Sequence, residues 1–116
     1  MSESVITKYD NICLICDGKA EHKHHAISGR GKRNLAEECG LFCYLCAKDH
    51  NMFQGQRPAG WSCDVHHCPK LERLMKCVGQ LAYEKSWLIE KYSLPFTEDS
   101  DEAREAFRRK FGESYL

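Results

Sequence analysis

The pairs Cys13-x2-Cys16 and Cys43-x2-Cys46 flank two adjacent histidines, His24 and His25, and a further histidine, His50, follows the second pair. Thiolates at this spacing reach one ion from a tight turn, and two such pairs fill the four positions of a structural zinc site. Imidazoles between and after the knuckles suit a second, open site, where a divalent cation and a base act on a bound water. One site would organise the backbone and the other would do chemistry.

The ligand sets follow from residue type and spacing. Cys13, Cys16 and Cys46 are the firm members of the structural zinc set, and the fourth position has two candidates. Cys43 offers a thiolate, the usual structural ligand. If residues 41–45 form a regular strand, however, Cys43 and Cys46 point to opposite faces. Asp49, three residues after Cys46 at a helix start, has the better geometry with a less common ligand type. In the histidine group, His66 is a candidate third ligand for the second cation. A rival pairing, Cys46-x3-His50 with Cys63-x3-His67, would make a Cys2His2 site, but Gly55, Pro58 and Gly60 leave little structure to dock between them. Cys39, Cys63, Cys68 and Cys77 otherwise read as small apolar residues.

Eight cysteines in 116 residues is far above average usage. The first residues lack the apolar run of a secretory signal, and no segment approaches the length needed to cross a bilayer. A cytoplasmic location follows as the expectation. Thiols stay reduced there, and paired cysteines bind metal more often than each other; disulfides are the competing reading. The formal net charge is zero, which excludes a global basic field. Locally, Ser28-Gly29-Arg30-Gly31-Lys32-Arg33 reads as a flexible loop with three cations beside the histidine pair. Arg30, Lys32 and Arg33 thus suit a polyanionic partner such as DNA, against the plainer reading of a solvated turn.

The elements that must position these groups are short. Residues 1–12 read as a lead-in with room for one strand, and Gly18 as the residue with the positive φ of the first knuckle. Residues 21–27 and 41–46 read as strands, separated by about one helical turn at Leu35-Ala36-Glu37-Glu38 that ends at Gly40. A short helix is expected after Cys46. Pro69 fits the first position of a long helix whose stripe runs through Leu71, Leu74, Met75, Val78, Leu81, Ala82, Leu88, Ile89 and Tyr92, ending before Pro95. A last helix begins near Ser100, with Asp101 and Glu102 in its first turn and Arg108, Arg109 and Lys110 in its last, complementing the helix dipole. Its apolar face is Ala103, Phe107 and Phe111, and Gly112 ends it.

The order Cys-x2-Cys, His24-His25, a glycine-rich basic stretch to Arg33, then Tyr44-Leu45-Cys46-x2-Asp49-His50 resembles the HNH endonucleases. It is most similar to the small HNH-type proteins of phages and prophages. Gly40-Leu41, Val65-His66, Gln80, Glu84 and the terminal Phe107-x3-Phe111-Gly112-x-Ser114-Tyr115-Leu116 extend the similarity over nearly the whole chain. Two departures stand out: Asp49 falls where the family commonly has a cysteine, and no asparagine lies around Gly40-Leu41.

The resemblance implies an α+β fold. A zinc-stabilised ββα-metal core would span residues 1–66 and a helical extension of two helices residues 67–116, in one domain. It implies hydrolysis of DNA phosphodiester bonds, in phage DNA recombination or processing within a bacterial host. His25 is then the general base, and His24 and His50 ligate a catalytic divalent cation (Mg2+, Mn2+, Ni2+ or Zn2+). The alternative is a zinc-containing DNA-binding module without turnover. A structural zinc protein that binds another protein through its helices is a further rival.

Overall fold

A computed structural model of the chain describes residues 3–29, 31–46, 68–93 and 101–116. In order, the elements are β1 (His22–His25), α1 (Lys32–Cys39), β2 (Phe42–Leu45), α2 (Pro69–Tyr92) and α3 (Asp101–Phe111). The protein is thus a small α+β structure with a two-stranded antiparallel sheet and, among the described residues, three helices. The helix expected just after Cys46 falls outside the described residues. None of the described helices is long and apolar enough to cross a membrane.

The hairpin pairs His22 with Leu45, Lys23 with Tyr44, His24 with Cys43 and His25 with Phe42. Strand side chains alternate and cross-strand partners share a face. His22, His24, Cys43 and Leu45 therefore lie on one side, and Lys23, His25, Phe42 and Tyr44 on the other. Two strands of four residues are marginal in isolation, and neighbouring backbone extends them. Leu14 donates its N–H to Tyr44 O at 3.0 Å, Glu21 to Leu45 O at 3.0 Å, and Ala26 to Leu41 O at 2.9 Å.

Between the strands the chain forms eight helical residues rather than the single turn expected at residues 35–38. Gly31 enters at φ 77° and Gly40 leaves at φ 72°. At the exit, Leu41 N–H reaches Ala36 O at 2.8 Å and Gly40 N–H reaches Glu37 O at 3.3 Å, the paired bonds that close a helix through a left-handed residue. The extra turn comes from Lys32 and Arg33, which were expected in the loop. Propensity over so short a segment is weak. The helix is held by Ala36, buried with Ile27, Leu41, Phe107 and Phe111, while Leu35 and Cys39 pack at the edge of the same cluster.

The C-terminal helices match their capping signals. Pro69 opens α2 directly after Cys68, and Ser93 closes it at φ 61°. Ala103, Phe107 and Phe111 are the buried face of α3, and Gly112 follows at φ 87°. The expected stripe on α2 is displaced. Leu71, Met75 and Leu88 are buried as predicted, but Leu74 and Leu81 are more than half exposed, and Gly79, Gln80 and Glu84 are buried instead.

The polar pair is accommodated by hydrogen bonds. Gln80 Nε2 donates to Glu84 Oε2 and to Ser114 Oγ, both at 2.9 Å, and its Oε1 accepts Tyr115 N–H at 2.6 Å. Arg104 reaches Glu84 at 3.4 Å. These bonds pin the chain end to α2, so the inward rotation of Gln80 and Glu84 turns Leu74 and Leu81 outward. Gly79 allows close approach, because a Cβ there would stand 2.8 Å from Ala26 Cβ.

Two apolar clusters result. Cys13, Cys43, Leu45, Leu71 and Met75 join the first knuckle to one sheet face and the start of α2. Ile27, Ala36, Leu41, Phe107 and Phe111 join α1 to α3. Tyr83 packs edge-on against Phe107, with ring centroids 5.3 Å apart, and Phe107 stacks on Phe111 at 4.5 Å. The lead-in, residues 3–12, contains no strand; Ile12 makes only an isolated bridge to Lys19.

Candidate metal centre and histidine strand

The first knuckle is built by its own backbone. Cys13 N–H donates to Gly18 O at 2.7 Å and Asp17 N–H to Cys13 O at 2.9 Å, closing a turn in which Asp17, not Gly18, takes the positive φ (62°). An aspartate tolerates that conformation better than most residues. The glycine serves a different need. Its N–H lies 3.4 Å from Cys16 Sγ, and a Cβ at this position would stand 3.2 Å from that sulfur. Gly18 thus brings a backbone donor to a sulfur that a metal would hold as thiolate.

Cys46, at the end of β2, completes the cluster. The sulfurs of Cys13, Cys16 and Cys46 all lie within 4.8 Å of one another, and those of Cys16 and Cys46 are 3.8 Å apart. Four thiolates about 2.3 Å from a zinc ion stand about 3.8 Å from each other in a regular tetrahedron. The triad therefore fits a metal ion of that size. Its burial is graded: Cys13 is fully buried, Cys46 half-buried and Cys16 exposed.

Cys43 does not join the three. It lies inside β2, packs in the apolar cluster with Leu45, Leu71 and Met75, and pairs across the sheet with His24. Burial, reinforced by the neighbouring Cys13 thiol, pushes its thiol up to about 12. The separation of Cys43 from Cys46 follows from regular strand alternation. Asp49, the other candidate fourth ligand, lies outside the described residues. So do His50 and His66, and so does the rival site built on Cys63 and His67. No disulfide links the described cysteines. Cys39 and Cys68 pack beside the two clusters, and Cys77 donates to Tyr115 O at 3.5 Å.

His24 and His25 are both in β1, and they face opposite ways. Both residues pair in regular antiparallel register, His24 with Cys43 and His25 with Phe42. His24 is 3% exposed, on the face shared with Cys43 and Leu45. The His25 side chain is 10% exposed, and its ring lies tilted against Phe42 with centroids 6.1 Å apart.

One side chain in this neighbourhood was not singled out from sequence. Glu37, on α1, approaches His25 Nε2 with its Oε1 at 3.0 Å and accepts from Lys23 Nζ on the same oxygen at 3.2 Å. The hydrogen bond with His25 is the chief reason that the Glu37 carboxyl sits below its ordinary range; partial burial opposes this and Lys23 adds to it. Lys23 Nζ also lies 4.2 Å from the centroid of the Phe42 ring. Only the alternation of Lys23 and His25 on one strand face hinted that they could share a partner.

The basic segment is divided. Arg30 is outside the described residues, and Arg33 is exposed in the first turn of α1. Lys32, expected to be free in a loop, is instead tied to the chain end. Its Nζ lies 2.7 Å from Glu113 Oε2 and 3.3 Å from Tyr115 Oη. The Glu113 hydrogen bond is the main cause of the rise in the Lys32 pKa.

Comparison with known protein families, with curated proteins and with solved structures finds no match to this chain.

Proposed function

We propose that this protein is a metal-dependent endonuclease of the HNH type, hydrolysing DNA phosphodiester bonds. The observation that carries the reading is the joining of Cys13, Cys16 and Cys46 at the end of a hairpin that also carries His24 and His25. A metal knuckle bracing a strand with two adjacent histidines supports one site for folding and one for chemistry. In this reading the triad holds a structural zinc ion with Asp49 as fourth ligand, because Cys43 is occupied in the apolar cluster. His24, His50 and His66 hold the second cation, which when bound would neutralise charge developing at the leaving 3′ oxygen. His25 takes the proton from the attacking water. Arg30 and Arg33 contact flanking phosphates. Lys32, already paired with Glu113, contributes there less than its charge alone implies.

A second reading is favoured by one observation. His24 and His25 leave β1 on opposite faces and so do not converge on one point, which favours a zinc-stabilised DNA-binding module without turnover. Plasmid and branched DNA incubated with the protein across several divalent metals, with a chelator control, separates the two. Cleavage abolished by chelator and reduced about 10²–10⁴-fold in His25→Ala, with DNA affinity retained and His22→Ala unaffected, is the expected result. Salt-sensitive DNA binding without cleavage under any metal would establish the binding module instead.

A further inference from the structure

We propose that Glu37 is a positioning residue for His25, fixing the imidazole in the tautomer that carries its proton on Nε2 and presents Nδ1 as the proton acceptor. The proposal rests on the reading of His25 as the base and specifies which atom of it acts. Its foundation is the 3.0 Å approach of His25 Nε2 to Glu37 Oε1. An ionised carboxylate has only acceptor sites, so the proton of a neutral imidazole facing it must reside on Nε2. Glu37 is ionised near neutrality, as an ordinary carboxylate is, and it faces the Lys23 ammonium at 3.2 Å.

The supporting structure restrains both partners. Lys23 and His25 are two residues apart on one strand face, so α1 presents a single carboxylate to both. The Phe42 ring packs against the imidazole as its cross-strand partner. Glu37 lies in the last turn of α1, whose closing bond from Gly40 N–H is made to Glu37 O itself. Backbone and side chain of this residue are therefore both engaged.

The chemical consequence is specific. In the hydrolytic step, water gives a proton to His25 Nδ1 and its oxygen bonds to phosphorus. The bond to the 3′ oxygen then breaks, and the leaving oxygen takes a proton from solvent. The imidazolium formed keeps its Nε2 proton on Glu37, so positive charge arises beside a carboxylate already in place. Lys23 shares that carboxylate, which keeps it oriented without donating to the ring.

Histidine labelled with 15N tests the assignment in the full-length, metal-loaded protein, with the His25 signals identified by their loss in His25→Ala. Wild type should show His25 as the Nε2–H tautomer, and Glu37→Ala should convert it to a mixture. The same variant should lower kcat by about 10–100-fold, the size of loss seen when the partner that orients a metal-ligating imidazole is removed, with KM for DNA and metal content unchanged. Glu37→Gln keeps an acceptor oxygen and should retain the tautomer with a smaller loss of kcat; Glu38→Gln should match wild type. An Nδ1–H tautomer in wild type, or a Glu37→Ala protein with unchanged tautomer and kcat, would overturn the proposal. If wild type cleaves no DNA while the tautomer still responds to Glu37, the nuclease reading has failed and the Glu37–His25 pairing stands.

Discussion

Gly40→Ala is expected to destabilise the protein by roughly 2–3 kcal/mol, from two effects that can be separated. Gly40 ends α1 at φ 72°, where an L side chain crowds its own carbonyl. That conformation costs a non-glycine residue about 1–2 kcal/mol. The second effect is tertiary. A Cβ at Gly40 would overlap the Glu3 carbonyl oxygen, which is backbone and does not rotate away. The lead-in must then move, and its movement strains the 2.9 Å hydrogen bond from Val5 N–H to Gly40 O. A hydrogen bond of this kind contributes about 0.5–1.5 kcal/mol net.

Gly112 supplies the reference, since it has φ 87° and a Cβ there would stand in open space. Gly112→Ala carries the conformational cost alone. With an unfolding entropy of about 2.1 cal/mol/K per residue, 116 residues lose about 4 °C of Tm per kcal/mol. Gly40→Ala should therefore melt roughly 10 °C below wild type and Gly112→Ala about 4–8 °C below it. Thermal and urea unfolding followed by circular dichroism measures both. Equal losses in the two variants would refute the steric argument at Gly40.

Metal analysis of purified protein should find about one ion bound per chain through Cys13, Cys16 and Cys46. Cys16→Ala and Cys46→Ala should lose it while Cys43→Ala retains it; loss in Cys43→Ala alone would move the ligand set. Phe107→Ala removes the ring between Tyr83 and Phe111 and should cost about 3–5 kcal/mol, whereas Leu81→Ala, on the exposed face of α2, should stay within about 0.5 kcal/mol by urea midpoint. Acid stability should respond to Glu113. Its carboxyl lies below the ordinary 4.5, chiefly through the hydrogen bond from Lys32. Because the folded value is the lower one, its contribution is present above about pH 4.5 and is lost as pH falls through the folded value. Glu113→Gln should therefore melt below wild type at neutral pH, with the difference closing in acid; a constant difference would exclude the linkage.

The parts legible in the sequence are those whose energetics are local. Pro69 at a helix start, the acid-to-base polarity of residues 101–110 and the glycine after Phe111 act within one or two turns, so α2 and α3 follow from neighbours in the chain. The same holds for the first knuckle, where Cys13 and Cys16 are joined by a turn that their own backbone closes. Strand alternation puts Cys43 and Cys46 on opposite faces once residues 42–45 form a strand, but the sequence left the fourth ligand open between Cys43 and Asp49.

Tertiary structure decided which distant groups meet. Glu37 reaches His25 only because α1 lies across the Lys23 face of β1, and the orientation of that helix is set by burying Ala36 with Ile27, Leu41, Phe107 and Phe111. Lys32 reads as a loop cation until the chain end brings Glu113 to it across 81 residues. Gln80 and Glu84 disturb an apolar stripe in sequence, yet they face inward because Ser114, Tyr115 and Arg104 supply their hydrogen bonds. The rotation of a helix and the partner of a side chain depend on many small packing terms summed over the whole fold. No local pattern records that sum, and the partners that complete a site are selected by it.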